Sequence, residues 1–405
     1  MLSAYGWVRY RPSLRFKEPP KQANVTVARP SVAILGFRTE LSSPKLKWLP
    51  TAVTELLAHE LAAAETSLRV LATDTVELTR RSLGVPESDV ADPKSQQRLE
   101  ALLGATIIVY GTISAGKPGS EDVLLRLRAV DARTGGELSS LDADLGPGGT
   151  HLVEALPDVG ARLRKALGAS LTAEQEAALS ALRAHNLDAA KAYAEGTMLK
   201  QRWDLEAARS QLEVGVVADP SFLDAQRRMR NIWGWQGNKK EARKVLLQMR
   251  ARQGVMTARQ AAELDAMSLA AGPEPEKNVE ARMALFDATP DDLDLAKVLL
   301  AQLPPRAGLQ LIKRLRQVQA APSFILDILE GEEAAGAGDT DRAEELFAGA
   351  AERAKELGAE WELGWIRERQ GTVLYLGGET SRRLRPARRG GAPARGREFH
   401  PADGE

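Results

Sequence analysis

Apolar and polar positions follow two different rhythms along this chain, and the change between them falls near residue 168. Before it, short β-branched runs are separated by helical stretches. Ser31–Phe37 (SVAILGF) is a continuous apolar run of the kind a buried strand makes. Val53, Leu56, Leu57, Glu60 and Leu61 then recur at helical spacing, all but Glu60 apolar on one face. Leu68–Thr73 predicts a second strand, and Thr73 or Asp74 is placed to cap a helix over 75–83 that Gly84 and Pro86 end. A further helix over 94–103 stops at Gly104, directly before a third strand in ATIIVYGTI. Its Ile107, Ile108 and Val109 suit a central position. Val123–Val130 alternates Leu125, Leu127 and Ala129 against Leu124, Arg126 and Arg128, as a half-solvated strand does. Asp131–Gly136 reads as a hairpin turn in which Gly135 or Gly136 takes positive φ, and Leu138–Leu145 returns. After the breaker at 146–149, His151–Leu167 closes the unit as an amphipathic helix. Alternating strands and helices followed by a meander predict an α/β domain over residues 31–168.

The second rhythm is helical throughout. Thr172 and Gln175 begin a connecting helix with capping-box spacing, within a linker over residues 169–188. From Ala189 to Pro220 the chain reads as two antiparallel helices, with Gly196 and Ala208 small where they cross, Leu199 and Leu212 filling around them, and Asp219-Pro220 as the stop. Ala208 and Leu212 recur 34 residues later as Ala242 and Leu246, and after a looser interval of 39 as Ala281 and Leu285. That period marks a tetratricopeptide repeat, whose helix pairs stack on a shared core. Leu293–Leu303 with Ala307–Val318 gives another pair. A later pair carries the signature at Gly331, Ala343, Phe347 and Ala350, and Trp361–Leu376 reads as the first helix of a last unit. The expected fold class is therefore an α/β domain followed by an all-α tetratricopeptide-repeat solenoid over 189–376.

Both ends break the pattern. Residues 1–30 hold six Lys or Arg against Glu18, with four prolines, and predict a flexible basic arm. Residues 377–405 are rich in Arg, Gly and Pro without apolar period, and predict a disordered tail. Since solenoids end in a polar capping helix, the last unit should expose apolar surface or fray, which a truncated or altered carboxy terminus would explain. Weak phosphate contact through the tail is the sharper alternative.

Charge and composition exclude more than they select. The 55 basic residues balance 55 acidic ones, so no net field selects nucleic acid or an anionic membrane. Absence of cysteine removes disulfides, thiolate metal sites and one class of nucleophile, and it fits a reducing compartment. Without an apolar run of about 18 residues, no membrane span is expected, and the protein reads as cytoplasmic, or extracytoplasmic if it belongs to a longer membrane-anchored parent. His59, His151, His185 and His400 lie in separate elements and read as helix-surface or turn residues, not metal ligands. Asp291, Asp292 and Asp294 follow Thr289-Pro290 at a helix start, where negative charge meets the dipole favourably. No GxSxG elbow and no Walker lysine loop is present, and no cofactor is expected.

The series SVAILGF, LGATIIVYGTI and LRLRAVDARTGGE resembles the TolB-type amino-terminal domain, also seen in FlgO-like proteins. Bacterial signalling proteins often carry that domain ahead of tetratricopeptide repeats, and the resemblance covers roughly residues 30–375 in that order. It is most similar to the non-catalytic carboxy-terminal region of bacterial eukaryotic-like serine/threonine kinases. The chain departs from those proteins in lacking a glycine-rich phosphate loop, a VAIK-like lysine, an HRD loop and a DFG. The resemblance implies a signalling role, and alternatively the regulatory part of a kinase whose catalytic domain is absent from this chain.

Partner binding has the most residues behind it. The first helix of each pair lines the groove of such a solenoid, which nominates Tyr193, Thr197 and Lys200, then Arg227, Asn231 and Trp235. Arg227 and Asn231 at a spacing of four are similar to the carboxylate grip of some tetratricopeptide proteins, offering a charged fork and an amide to a peptide end. The competing explanation leaves Arg227 and Asn231 merely solvated and puts Trp233 or Trp235 in a core. The expectation is a non-enzymatic scaffold or sensory module that holds a protein or peptide.

Overall fold

The computed structural model describes residues 28–384 apart from 87–89, 118–119, 271–274 and 319–321. Its first part is β1 (Ser31–Thr39), α1 (Leu49–Ala62), β2 (Arg69–Val70), α2 (Thr73–Ser82), α3 (Pro93–Leu103), β3 (Ile107–Ala115), β4 (Asp122–Asp131), β5 (Glu137–Pro147) and α4 (Leu152–Ala166). The five strands form one curled sheet in the order β2-β1-β3-β4-β5, with β1 parallel to both β2 and β3, and β3–β4–β5 an antiparallel meander. Strand alternation divides the core. Val32, Ile34, Val109, Leu125 and Leu127 face α1 and α4, whereas Ala33, Leu35 and Ile108 face α2 and α3. Gly135 takes φ +70° in the β4–β5 turn, where Asp131 Oδ1 accepts from the backbone of Arg133 and Thr134.

β2 is shorter than its apolar run suggests. Its two residues pair with Ser31 and Val32, after which the backbone turns at Ala72 and α2 begins at Thr73. Ala72, not Thr73 or Asp74, is therefore the N-cap, and it supplies no side-chain bond. Thr73 Oγ1 instead donates to Glu55 at 2.9 Å.

The second part is helical: α5 (Ala173–Leu182), α6 (Leu187–Gln201), α7 (Leu205–Ala218), α8 (Leu223–Trp235), α9 (Lys239–Arg250), α10 (Ala258–Ala270), α11 (Pro275–Ala288), α12 (Leu293–Leu300), α13 (Pro305–Gln317), α14 (Ser323–Ala337), α15 (Thr340–Leu357) and α16 (Glu360–Leu384). The capping box at Thr172 and Gln175 is made in both directions. Small residues sit where helices cross. A Cβ on Gly196 would lie 2.9 Å from Leu212 Cγ and 3.1 Å from the Ala208 carbonyl, and one on Gly331 would lie 2.8 Å from Phe347. α16 continues to Leu384, eight residues into the segment whose composition predicts a tail. On α16, Trp361, Leu374 and Tyr375 are exposed. The basic arm before residue 28, the Arg-rich stretch beyond 384 and His400 lie outside the described residues.

The two parts share their cores. One apolar cluster runs from the α1/α4 face of the sheet into α5–α10, a second from the α2/α3 face into α14–α16, and a third joins α11–α14. The helical part thus reaches both faces of the α/β domain. Among the described residues no helix is long and apolar enough to cross a membrane.

Candidate functional site

Between the two parts lies a cleft of about 750 Å³. Its walls on the α/β side are α1, β2, the turn after it, α2 and the end of α3. On the opposite side they come from α5, α6, α8, α10, α12, α14 and α16, or the residues capping them. Among the described residues none of α7, α9, α11, α13 or α15 lines it.

Helix spacing builds the charged end of this site. Glu55 and His59 are four apart on α1, so they share a face, and Asp224 and Arg228 do the same on α8. His59 Nδ1 donates to Asp224 Oδ2 at 2.6 Å. Burial works against the charged imidazole, yet the Asp224 carboxylate raises His59 above its ordinary value. Burial also opposes ionisation of Asp224, but the His59 imidazolium and the neighbouring Arg227 and Arg228 hold it well below the usual carboxylate range. His59 Nε2 is shielded from solvent and has no hydrogen-bond partner among the described residues.

Next to this pair, Arg228 donates to Glu55 Oε2 at 2.9 Å and to Thr197 Oγ1, and stacks 4.7 Å above the Tyr193 ring. Tyr193 donates its hydroxyl to the same Glu55 oxygen at 3.1 Å. Burial, with Glu55 beside it, pushes the Tyr193 phenol well above its ordinary value. Lys200 pairs with Asp74 at the start of α2. Burial and then Arg228 push the Lys200 ammonium down in spite of Asp74. Further along, Arg259 reaches Glu65 at 3.6 Å, Glu263 at 3.2 Å and Asp292 at 2.8 Å, and Arg29 takes Asp291 at 2.6 Å. Glu65 is raised, chiefly by burial.

The six residues nominated from the sequence divide accordingly. Tyr193, Thr197 and Lys200 are buried and spend their polar atoms on the α/β domain or on Arg228. Thr197 also donates to the Tyr193 carbonyl at 2.8 Å. Arg227 is half-buried in the cleft wall, 3.8 Å from Glu263. Asn231 lies outside the cleft, and its Oδ1 accepts from Arg230 at 3.1 Å. Trp235 is exposed and stacked on exposed Trp203, with ring centroids 6.0 Å apart, while Trp233 packs half-buried against the core with Arg209 over its ring. Arg227 and Asn231 therefore do not share this cleft.

Sequence reasoning missed Glu55, His59, Arg69, Asp74, Asp224 and Arg228. The signal was present as acidic residues and a histidine on the apolar face of α1, although only Glu60 stands out by its spacing. His59 is not the surface histidine expected of it. The acidic triplet also splits. Asp292 caps α12 through the Leu295 amide at 2.9 Å, as its position suggests, whereas Asp291 is buried beneath Arg29.

Among the described residues no group of three or more His, Asp or Glu side chains is placed to hold a metal ion. No protein-family model matches the chain, and no curated protein is significantly similar to it.

Proposed function

We propose that this chain is a non-enzymatic binding and sensory module of a bacterial signalling system. In this reading α6–α16 form a tetratricopeptide-like solenoid that holds a protein on its inner face, and here it holds its own α/β domain. The carrying observation is the make-up of the cleft wall: beyond α5, the described residues that the helical part contributes all come from the first helix of a pair or its cap. Stacked helix pairs that curve around a ligand present themselves in that way. A chain without cysteine suits the reducing cytoplasm, where we place it.

The chemistry of the contact defines the partner. The α/β domain offers acidic Glu55, Glu65 and Asp74, and the helices answer with Arg228, Arg259 and Lys200. A protein that competes for the inner face would present an acidic helix of similar pattern, with the Trp203–Trp235 pair at the edge as additional contact area. Glu55 is buried and Arg228 partly so, and breaking a fully buried ion pair costs about 3–5 kcal/mol, an upper bound here.

The test uses the full chain with Glu55→Arg and Asp74→Arg, which set like charges against Arg228 and Lys200. Amide exchange in α6 and α8 should quicken while far-ultraviolet dichroism is retained. A synthetic peptide of residues 49–62 should then bind the variant about tenfold or more tighter than wild type, since the inner face is freed for it. Unchanged exchange in α6 and α8, or a peptide that binds neither protein, would remove the basis of the proposal.

A further inference from the structure

Arg69 is an arginine of the cleft that makes no direct hydrogen bond or ion pair with the described residues, although Asp291, Asp292 and Asp294 lie near enough to attract it. It lies on β2, at the edge of the sheet, and is 9% exposed. Among the described residues its guanidinium has no hydrogen-bond or ion-pair partner, and its Nε is shielded from solvent. The carboxylates around it are engaged elsewhere. Asp291 accepts from Arg29 through the backbone amide at 2.8 Å, through Nε at 3.0 and 3.1 Å and through a terminal nitrogen at 2.6 Å. Asp292 is divided between the Leu295 amide and Arg259, and Asp294 lies 3.8 Å from Lys297. An arginine stays protonated even when buried, so it must meet an anion or bear the cost of desolvation unpaired.

We infer that the cleft binds a small amphipathic organic acid, whose carboxylate or phosphate group pairs with Arg69 and whose apolar body lies along the wall made by Leu71, Leu102, Leu103, Ile325 and Leu329. The planar fork of arginine matches either head group through two parallel hydrogen bonds. Those five apolar residues line the same cleft as Arg69. Leu71 and Ile325 are partly buried against the second core, which makes that wall firm. The volume, about 750 Å³, is that of a site for a small organic molecule, far more than an inorganic anion fills. Such a ligand would touch β2, α3 and α14 at once, and so would fasten the closed arrangement, on which this inference rests.

The experiment is a calorimetric titration of the full chain with octanoate below its micelle concentration, octyl phosphate and 1-octanol, with Arg69→Met beside wild type. Octanoate or octyl phosphate should bind wild type saturably and about 10- to 100-fold tighter than octanol. The tighter of the two identifies the head group. Arg69→Met should abolish the preference for the acid over the alcohol. Equal binding of acid and alcohol to wild type, no saturable binding by any of the three, or a preference kept in Arg69→Met would each overturn the inference. The wild-type comparison decides the matter even if the variant fails to fold. Amide exchange in α6 and α8 of the same samples separates the two failures: protection without acid binding removes this site alone, whereas lost protection removes the closed arrangement as well.

Discussion

The α/β domain meets the helices along two seams that share apolar cores and differ in their polar content. Along α1 and α2, contact with α6, α8 and α10 combines a shared apolar core with a line of charge: His59 with Asp224, Glu55 with Arg228 and Tyr193, Asp74 with Lys200, Glu65 with Arg259. On the other face, Ala33, Leu35, Leu99 and Ile108 share one apolar core with Phe324, Ile328, Phe347 and Ile366. Few polar bonds cross there; one is Arg98 Nε donating to the Leu357 carbonyl at 2.8 Å. Apolar burial is non-directional, and pH and moderate salt barely alter it. Buried ion pairs return little net stability but fix a unique register, and protons or a competing charge loosen them. The apolar seam should therefore hold against pH and salt, and the seam that carries the charges is the one expected to respond to them.

The sharpest way to break this comparison is to damage the apolar seam alone. Gly104 closes α3 at φ +63°, and a Cβ there would lie 2.5 Å from Cδ of Pro322, just ahead of α14. Gly104→Ala combines left-handed strain with a clash against a rigid ring, so we expect a loss of about 2–4 kcal/mol. Urea unfolding measures it. The His59 imidazole resonances should keep their positions, because the charged seam is untouched. A loss under about 0.5 kcal/mol would mean that α3 and Pro322 do not hold the parts together.

A smaller effect should follow pH at the charged seam. His59 is raised in the folded protein, so its contribution is complete below the ordinary histidine value and is lost as pH rises through the raised one. Asp224 is lowered, so its contribution is present above the ordinary carboxylate value and is lost only as pH falls through the lowered one. Both shifts describe one bond and are counted once. The seam should be tightest between about pH 4 and 6.5 and loosen above it, by about 1.4 kcal/mol for each unit by which His59 is raised. Amide exchange in α8 should quicken over that range once corrected for its intrinsic pH dependence, and His59→Gln should flatten the profile. An unchanged profile in the variant would place the titration elsewhere.

How much of this the sequence carries depends on the range over which its signals act. Periodicity is local, so it marks both strand-rich and helical regions, and it predicts the Gly196 contact with Ala208 and Leu212 because the helices are neighbours in sequence. The same spacing assigns Tyr193, Thr197 and Lys200 to one inward face. It does not say that the face is already occupied, because Glu55 meets Arg228 across 173 residues and His59 meets Asp224 across 165. No local rule links charges so far apart. Arg69 falls within the apolar run that predicts a strand, and its lack of a direct partner becomes visible once Asp291, Asp292 and Asp294 have taken theirs.

The smallest effect sharpens the comparison most, because it asks whether the charged seam can be disturbed without the fold noticing. Trp203 follows α6 in the left-handed region at φ +65°, a conformation that costs a tryptophan about 1 kcal/mol or more and glycine almost nothing. Its compensation is the stack on Trp235, whose ring also lies 5.9 Å from the Lys200 ammonium paired with Asp74. Such a stack contributes about 0.5–1.5 kcal/mol, so in Trp203→Gly the relief of strain and the lost stack nearly cancel. Thermal unfolding should move by no more than the equivalent of about 1 kcal/mol. The ordering of Trp235 and Lys200 has no such compensation, so exchange at the first turn of α2, beside Asp74, should quicken while α3 and α14 stay protected. Uniform quickening across both seams would show that the tryptophan pair supports the core, and the division into a fixed seam and a yielding one would then fail at this edge.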